Sequence, residues 1–167
     1  INFISKGPQN ELGGKVNIQL GNYNLRKVQG QMDIPLIEDK LLFRVALKRD
    51  SHDGYFENLL IPSDEIMEED LFTGRITLKY LATDSLDITL HAGLLDREGG
   101  LLPGIKHLNI DPSGPNAGAA IIDDPRKVVS DQENHTSFKD EYIDVTVKWD
   151  LGWTTFTSIS AYVDRTV

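Results

Sequence analysis

The feature that most constrains this chain is a two-residue alternation of polar and apolar side chains. It persists through three consecutive segments between Gly14 and Arg49. Lys15-Val16-Asn17-Ile18-Gln19-Leu20 alternates without a break, and Gly21-Asn22-Tyr23-Asn24 has turn composition. In the return segment Val28, Gly30, Met32 and Ile34 share one parity; in the third, Leu41, Phe43, Val45 and Leu47 oppose Arg44 and Lys48. In an extended chain successive side chains point to opposite faces, whereas a helix would scatter this pattern around its axis. The expectation is an antiparallel sheet with one basic, amide-rich face and one aliphatic face. That composition suits a wall with water on one side and hydrocarbon on the other.

The same period returns further on. Strands are expected over about residues 12–20, 25–36, 41–49, 74–82, 86–95, 141–149 and 153–163. The seventh, rich in Thr, Ser, Phe and Tyr, mixes both polarities at both parities, so its faces stay unassigned. Pro62-Ser63-Asp64-Glu65 has an N-cap composition, and a short helical turn is expected over residues 64–69. The connections segregate by length. Residues 37–40, 83–85 and 150–152 are short, whereas 50–72 and 96–140 are long; residues 21–24 are the short exception among the latter set. Strands of about 9–11 residues cross a bilayer at a tilt, and short turns on one rim with long loops on the other suit a membrane barrel. Trp149 and Trp153 flank a short turn, where an interfacial aromatic girdle would lie.

Charge follows the connections. Residues 50–71 hold eight carboxylates and no Lys or Arg, and residues 96–141 hold nine carboxylates against five Lys or Arg. The strands are therefore mildly basic although the chain carries a net charge of −9. An acidic chain is not expected to bind nucleic acid, which demands a basic face. There is no cysteine, so disulfides and thiolate metal sites are excluded. Mean hydropathy is −0.29; no run approaches the ~18 apolar residues of a membrane helix, but a barrel hides its apolar residues in alternation. The sequence opens without a signal peptide and in mid-pattern, and reads as a portion of a longer protein.

Several pieces occur in a telling order: Ile1-Asn2-Phe3-Ile4-Ser5-Lys6-Gly7-Pro8, Gly13-Gly14, Gly21-Asn22-Tyr23-Asn24, Pro35-Leu36, Leu42-Phe43-Arg44 and Asp53-Gly54-Tyr55. Over roughly the first 60 residues this order resembles the plug-to-barrel junction of TonB-dependent outer-membrane receptors. The resemblance implies that residues 1–10 end a plug domain and residues 11–167 begin a transmembrane β-barrel. The barrel would have about 22 strands, this chain supplying about the first third. Seven strands alone would leave two bare edges, which lipid does not tolerate. It also implies a Gram-negative outer-membrane location and contact with outer-membrane lipid. The TonB complex would act through a region outside this chain, and the cargo would be a scarce nutrient: siderophore-iron, cobalamin or an oligosaccharide.

No residue set supports catalysis. The motifs of nucleophile elbows, phosphate loops and dinucleotide sites are missing. His52, His91, His107 and His135 lack ligand spacing, and residues 111–116 lack that of a calcium loop. The chain is expected to be no enzyme and to need no cofactor or metal. The candidate functional residues are instead those of the polar face, expected to line a lumen: Gln29, Gln31, Arg44, Lys48, Arg75, Lys79, His91 and Lys148, with Lys15, Asn17, Gln19 and Asp87 beside them. Two other readings use the same strands. A passive porin needs no plug and conducts without energy. A soluble antiparallel sandwich buries Val16, Ile18, Val28, Met32, Phe43, Val45, Ile76, Leu78, Ile143 and Val147 in a core.

Overall fold

In the computed structural model, which describes residues 6–59, 61, 65–100, 124–128 and 135–167, the alternating segments form one antiparallel meander. Its strands are β1 (Gly13–Leu20), β2 (Arg26–Ile37), β3 (Leu41–His52), β6 (Glu69–Thr83), β7 (Leu86–Gly100), β9 (His135–Asp150) and β10 (Thr155–Thr166). They lie side by side in that order in a seven-stranded sheet. A second, three-stranded sheet joins β4 (Phe56–Asn58), β5 (Glu65–Ile66) and β8 (Lys127–Val128). The fold class is all-β, an up-and-down meander of the kind that forms part of a transmembrane β-barrel. The expected plug strand lies almost wholly outside the described residues.

Tight turns set the register at one rim. Between β2 and β3, Lys40 N–H donates to Ile37 O at 3.1 Å, and Asp39 turns the chain at φ 54°. After β9, Gly152 takes φ 84°, which a residue without Cβ accepts readily, and its N–H donates to the Asp150 carboxylate at 2.8 Å. These turns also bond to one another: Leu81 N–H to Lys40 O at 2.8 Å and Asp150 N–H to Ser85 O at 2.7 Å. At the opposite rim only β1 and β2 are joined tightly. Tyr23 and Asn24 both have positive φ (56° and 53°), and Leu25 N–H closes the turn on Asn22 O at 3.2 Å. That is the backbone of a type I′ turn, whose twist matches that of the strands.

Five strands run three or more residues past their expected ends, β10 to Thr166 among them. β3 continues to His52, β6 starts at Glu69, β7 reaches Gly100 and β9 starts at His135. The extensions pair with one another, His52 with Glu69, Glu69 with Gly99 and Gly100 with His135. Beyond Phe72 and Leu94 the apolar parity gives out, so ladder pairing continues where the sequence pattern has stopped. The helical turn expected over residues 64–69 does not form in its described part. Glu65–Ile66 pairs with Phe56 and Glu57 as a strand, and Glu69 already belongs to β6. Ile66 is fully buried; burial plus a ladder partner outweighs a local capping signal.

Register settles the seventh strand. Phe156, Ser158, Ser160 and Tyr162 pair with Trp149, Val147, Val145 and Ile143 and join the aliphatic face. Ile159, Ala161 and Val163 fall on the polar face, which explains why parity alone could not assign them.

The distribution of burial is inverted relative to a soluble domain. Among the described residues the only buried hydrophobic side chains are Leu42, Ile66 and Val128, whereas Asp33, Arg44, Asp50, Asn58 and Thr77 are buried. The aliphatic face is open: Val16, Ile18 and Leu20 are 69%, 64% and 75% exposed, and Leu47, Ile76 and Ile143 are exposed with them. No described element covers this face, so among the described residues no core of the kind a soluble sandwich requires is formed on it. An open apolar patch of such extent belongs to an interface with protein or lipid.

One close approach crosses three strands on the polar face. Arg75, Gly93 and Tyr142 stand opposite one another in register. The Tyr142 ring lies over Gly93, and Arg75 Nε donates to the Tyr142 hydroxyl at 2.6 Å with its guanidinium 5.6 Å from the ring centre. A Cβ at Gly93 would sit 2.6 Å from the ring. Gly93→Ala is therefore expected to displace Tyr142 and destabilise the sheet by about 1–3 kcal/mol, measured by urea unfolding of the protein refolded in detergent.

Candidate functional site

The polar face is built by register. Antiparallel pairing sets residues of the same face opposite each other across every strand boundary, within reach for ion pairing. Asp33 of β2 stands opposite Arg44 of β3. Arg44 Nη1 donates to both Asp33 oxygens, at 2.8 and 2.6 Å, and Nη2 donates to Gln31 Oε1 at 2.5 Å. Both charged groups are below a tenth exposed. Nearer the long-loop rim, the buried Asp50 carboxylate takes Lys27 Nζ at 2.7 Å and Lys48 Nζ at 3.1 Å. Lys79 reaches Asp87 at 3.4 Å, and His91 Nδ1 lies 2.8 Å from Asp144 Oδ2. Arg165 binds Asp140 through two hydrogen bonds of 2.6 Å.

All the polar-face candidates named from sequence share this one face. The structure does not gather them into a pocket; it spreads them along six strands, β1, β2, β3, β6, β7 and β9, and gives many a partner on the wall itself. Gln31 serves Arg44, Lys48 serves Asp50, Lys79 serves Asp87, His91 serves Asp144 and Arg75 serves Tyr142. Gln29 and Lys148 are exposed. Parity identified the cations, but their partners Asp33, Asp50, Asp144 and Tyr142 were missed; only the strand offsets reveal them. The more exposed pairs contribute at most about 1 kcal/mol each. The Asp33–Arg44 pair differs, because removing one member leaves a charge out of water.

The segment leading into β1 lies against this wall. Pro8 is buried. Gln9 N–H donates to Asp33 Oδ1 at 3.2 Å. Asn10 Nδ2 donates to Asp39 Oδ1 at 2.6 Å, and Asp39 N–H returns a bond to Asn10 Oδ1 at 2.9 Å.

At the long-loop rim the two long connections are tied together. β4 pairs with β5 and, in parallel, with β8 from the distant loop, around Ile66, Asn58 and Val128. Tyr55 stacks on His52 at 4.7 Å and meets Tyr23 edge-on at 4.9 Å. Beside them a cleft of about 250 Å³ is lined by Asp53, Glu68, Glu69, Asp70 and Glu98 together with Arg26, His52 and His135. Several of these carboxylates are already engaged, Asp70 by Arg49 at 2.6 Å and Glu69 by Arg97 at 3.0 Å. Among the described residues no three His, Asp or Glu side chains converge as a metal site. His107 lies outside them.

Arg44→Met is expected to destabilise the protein by about 3–5 kcal/mol by stranding Asp33, and adding Asp33→Leu should recover most of that loss; denaturant midpoints of the refolded protein measure both. No protein-family model matches this sequence. In three dimensions the chain is similar to the ferric yersiniabactin uptake receptor FyuA from Yersinia pestis, with a TM-score of 0.76 and 16% sequence identity. The match covers 96% of this chain and 24% of that receptor, so the chain spans about a quarter of its length. The likeness is one of fold: a seven-stranded antiparallel meander of the kind that forms part of that receptor's β-barrel.

Proposed function

We propose that this chain is the start of the barrel wall of an outer-membrane receptor that takes up a scarce nutrient with energy delivered by TonB. The observation that carries this reading is the inverted burial. Asp33, Arg44, Asp50 and Thr77 are withdrawn from water on one face, while aliphatic side chains stand open on the other. In water the open face would be unfavourable by about 25 cal/mol for every Å² left wet; against acyl chains it is the stable arrangement. The polar face is then the lumen wall, Gln29, Gln31, Arg44, Lys48, Arg75, Lys79, His91 and Lys148 face the lumen, and residues 1–10 end a plug within it. The long loops face the exterior and the tight turns the periplasm.

A plugged lumen fits this wall better than the water-filled channel of a porin. Most of its cations are neutralised by carboxylates of the same wall, and Ile159 and Val163 project from the polar face while 70% and 59% exposed. Among the nutrient classes, an iron–siderophore complex is favoured by the similarity to a ferric yersiniabactin receptor. TonB would engage a region outside this chain. The chain itself carries no catalytic function and has no nucleic-acid partner.

Two measurements test this. Ile76→Arg on the open face should lower stability in lipid by about 2–4 kcal/mol, read from urea titrations in bilayer vesicles; no effect would mean that the face does not meet lipid. Uptake of ⁵⁵Fe presented on a panel of siderophores should fall to background when the gene is deleted and when TonB is deleted. Uptake that persists without TonB would support a diffusion channel instead.

A further inference from the structure

We propose that Gln9 and Asn10 form a fixed strap that pins the chain entering β1 to the polar face at the tight-turn rim, so that movement of the preceding segment pivots N-terminal to Pro8. Two anchors on different elements hold the strap. The first is Asn10 with Asp39, each donating to the other across 29 residues of sequence. The second is the Gln9 amide on Asp33 Oδ1. That carboxylate is itself immobilised, clamped by Arg44 through both oxygens, with Arg44 steadied by Gln31. A backbone N–H bound to an ionised acceptor held away from water makes a stronger bond than one to a neutral acceptor.

The residues on either side define where the constraint stops. Pro8 is buried, its ring fixes φ, and it has no N–H to satisfy. Gly7 and Lys6 are exposed, and nothing lies within 4 Å of where a Gly7 side chain would begin. Gly7 O accepts from Gln9 Nε2 at 3.1 Å, a bond within the strap itself, so the wall's own grip is established from Pro8 onward. This also accounts for the buried Asp33–Arg44 pair: it is the seat of the strap. The inference rests on the proposed function only in taking the preceding segment to be a plug.

The test is hydrogen–deuterium exchange with residue resolution on the whole protein in detergent. Asn10→Ala, an exposed position outside the strands, should speed exchange at Gln9 and Asp39 about tenfold and leave the β2 and β3 ladder amides unchanged. Asp33→Asn should release Gln9 more than Asp39. Free-chain exchange at Gln9 and Asp39 in the unmodified protein, or no response at Gln9 to either variant, would overturn the strap. A receptor that takes up iron without TonB would overturn the proposed function and leave these exchange results untouched.

Discussion

The structure depends on an antiparallel ladder that runs unbroken from β1 to β10 while one of its faces stays uncovered. Backbone N–H and C=O groups must find partners wherever water is excluded. A ladder satisfies them for every inner strand without help from either face. The faces are then free to differ, and here they do: mainly aliphatic on one, mainly ionic and amide on the other, with Ile159 and Val163 as exceptions on the polar side. Only the outer strands, β1 and β10, keep bare edges, and β1 is exposed along its whole length. Within a barrel those edges are closed by neighbouring strands, which is how such walls exist in lipid.

The polar face pairs its own charges. Most of its ion pairs join adjacent strands: Asp33 to Arg44, Lys27 to Asp50, His91 to Asp144, Asp140 to Arg165. The face is consequently a stitched surface with little free charge in the middle of the wall. Carboxylates are concentrated at the long-loop rim, where Asp53, Glu68, Glu69, Asp70 and Glu98 line one cleft. Acid therefore faces the exterior medium and ionic cross-links face the lumen in the proposed orientation. The strap at Gln9 and Asn10 belongs to the opposite rim, where tight turns leave the chain little freedom.

Much of this was readable from residue order. Alternation from Val16 to Leu47 placed the first three strands and their faces, and the alternation of Ile143, Val145 and Val147 placed β9. The parity of Arg44, Lys48 and His91 was legible, because parity follows from side-chain geometry in a strand. Their partners were not. Whether Arg44 meets Asp33 depends on the offset between β2 and β3, which the 37–40 turn and the irregularity between Pro35 and Ile37 set together. The helical signal around Ser63 and Asp64 failed for a related reason: Ile66 found a buried place and a strand partner that its neighbours in sequence could not announce.

By itself the sequence determined that the chain is a meander of strands with chemically opposite faces and loops of unequal length, since these follow from period two, turn residues and the positions of charge. Only the tertiary structure decided which face is open, how far each strand continues, where Ile159 and Val163 point and how Gln9 and Asn10 reach Asp33 and Asp39. Those facts depend on what stands across a strand boundary 24 or 29 residues away, and local pattern holds no record of that distance.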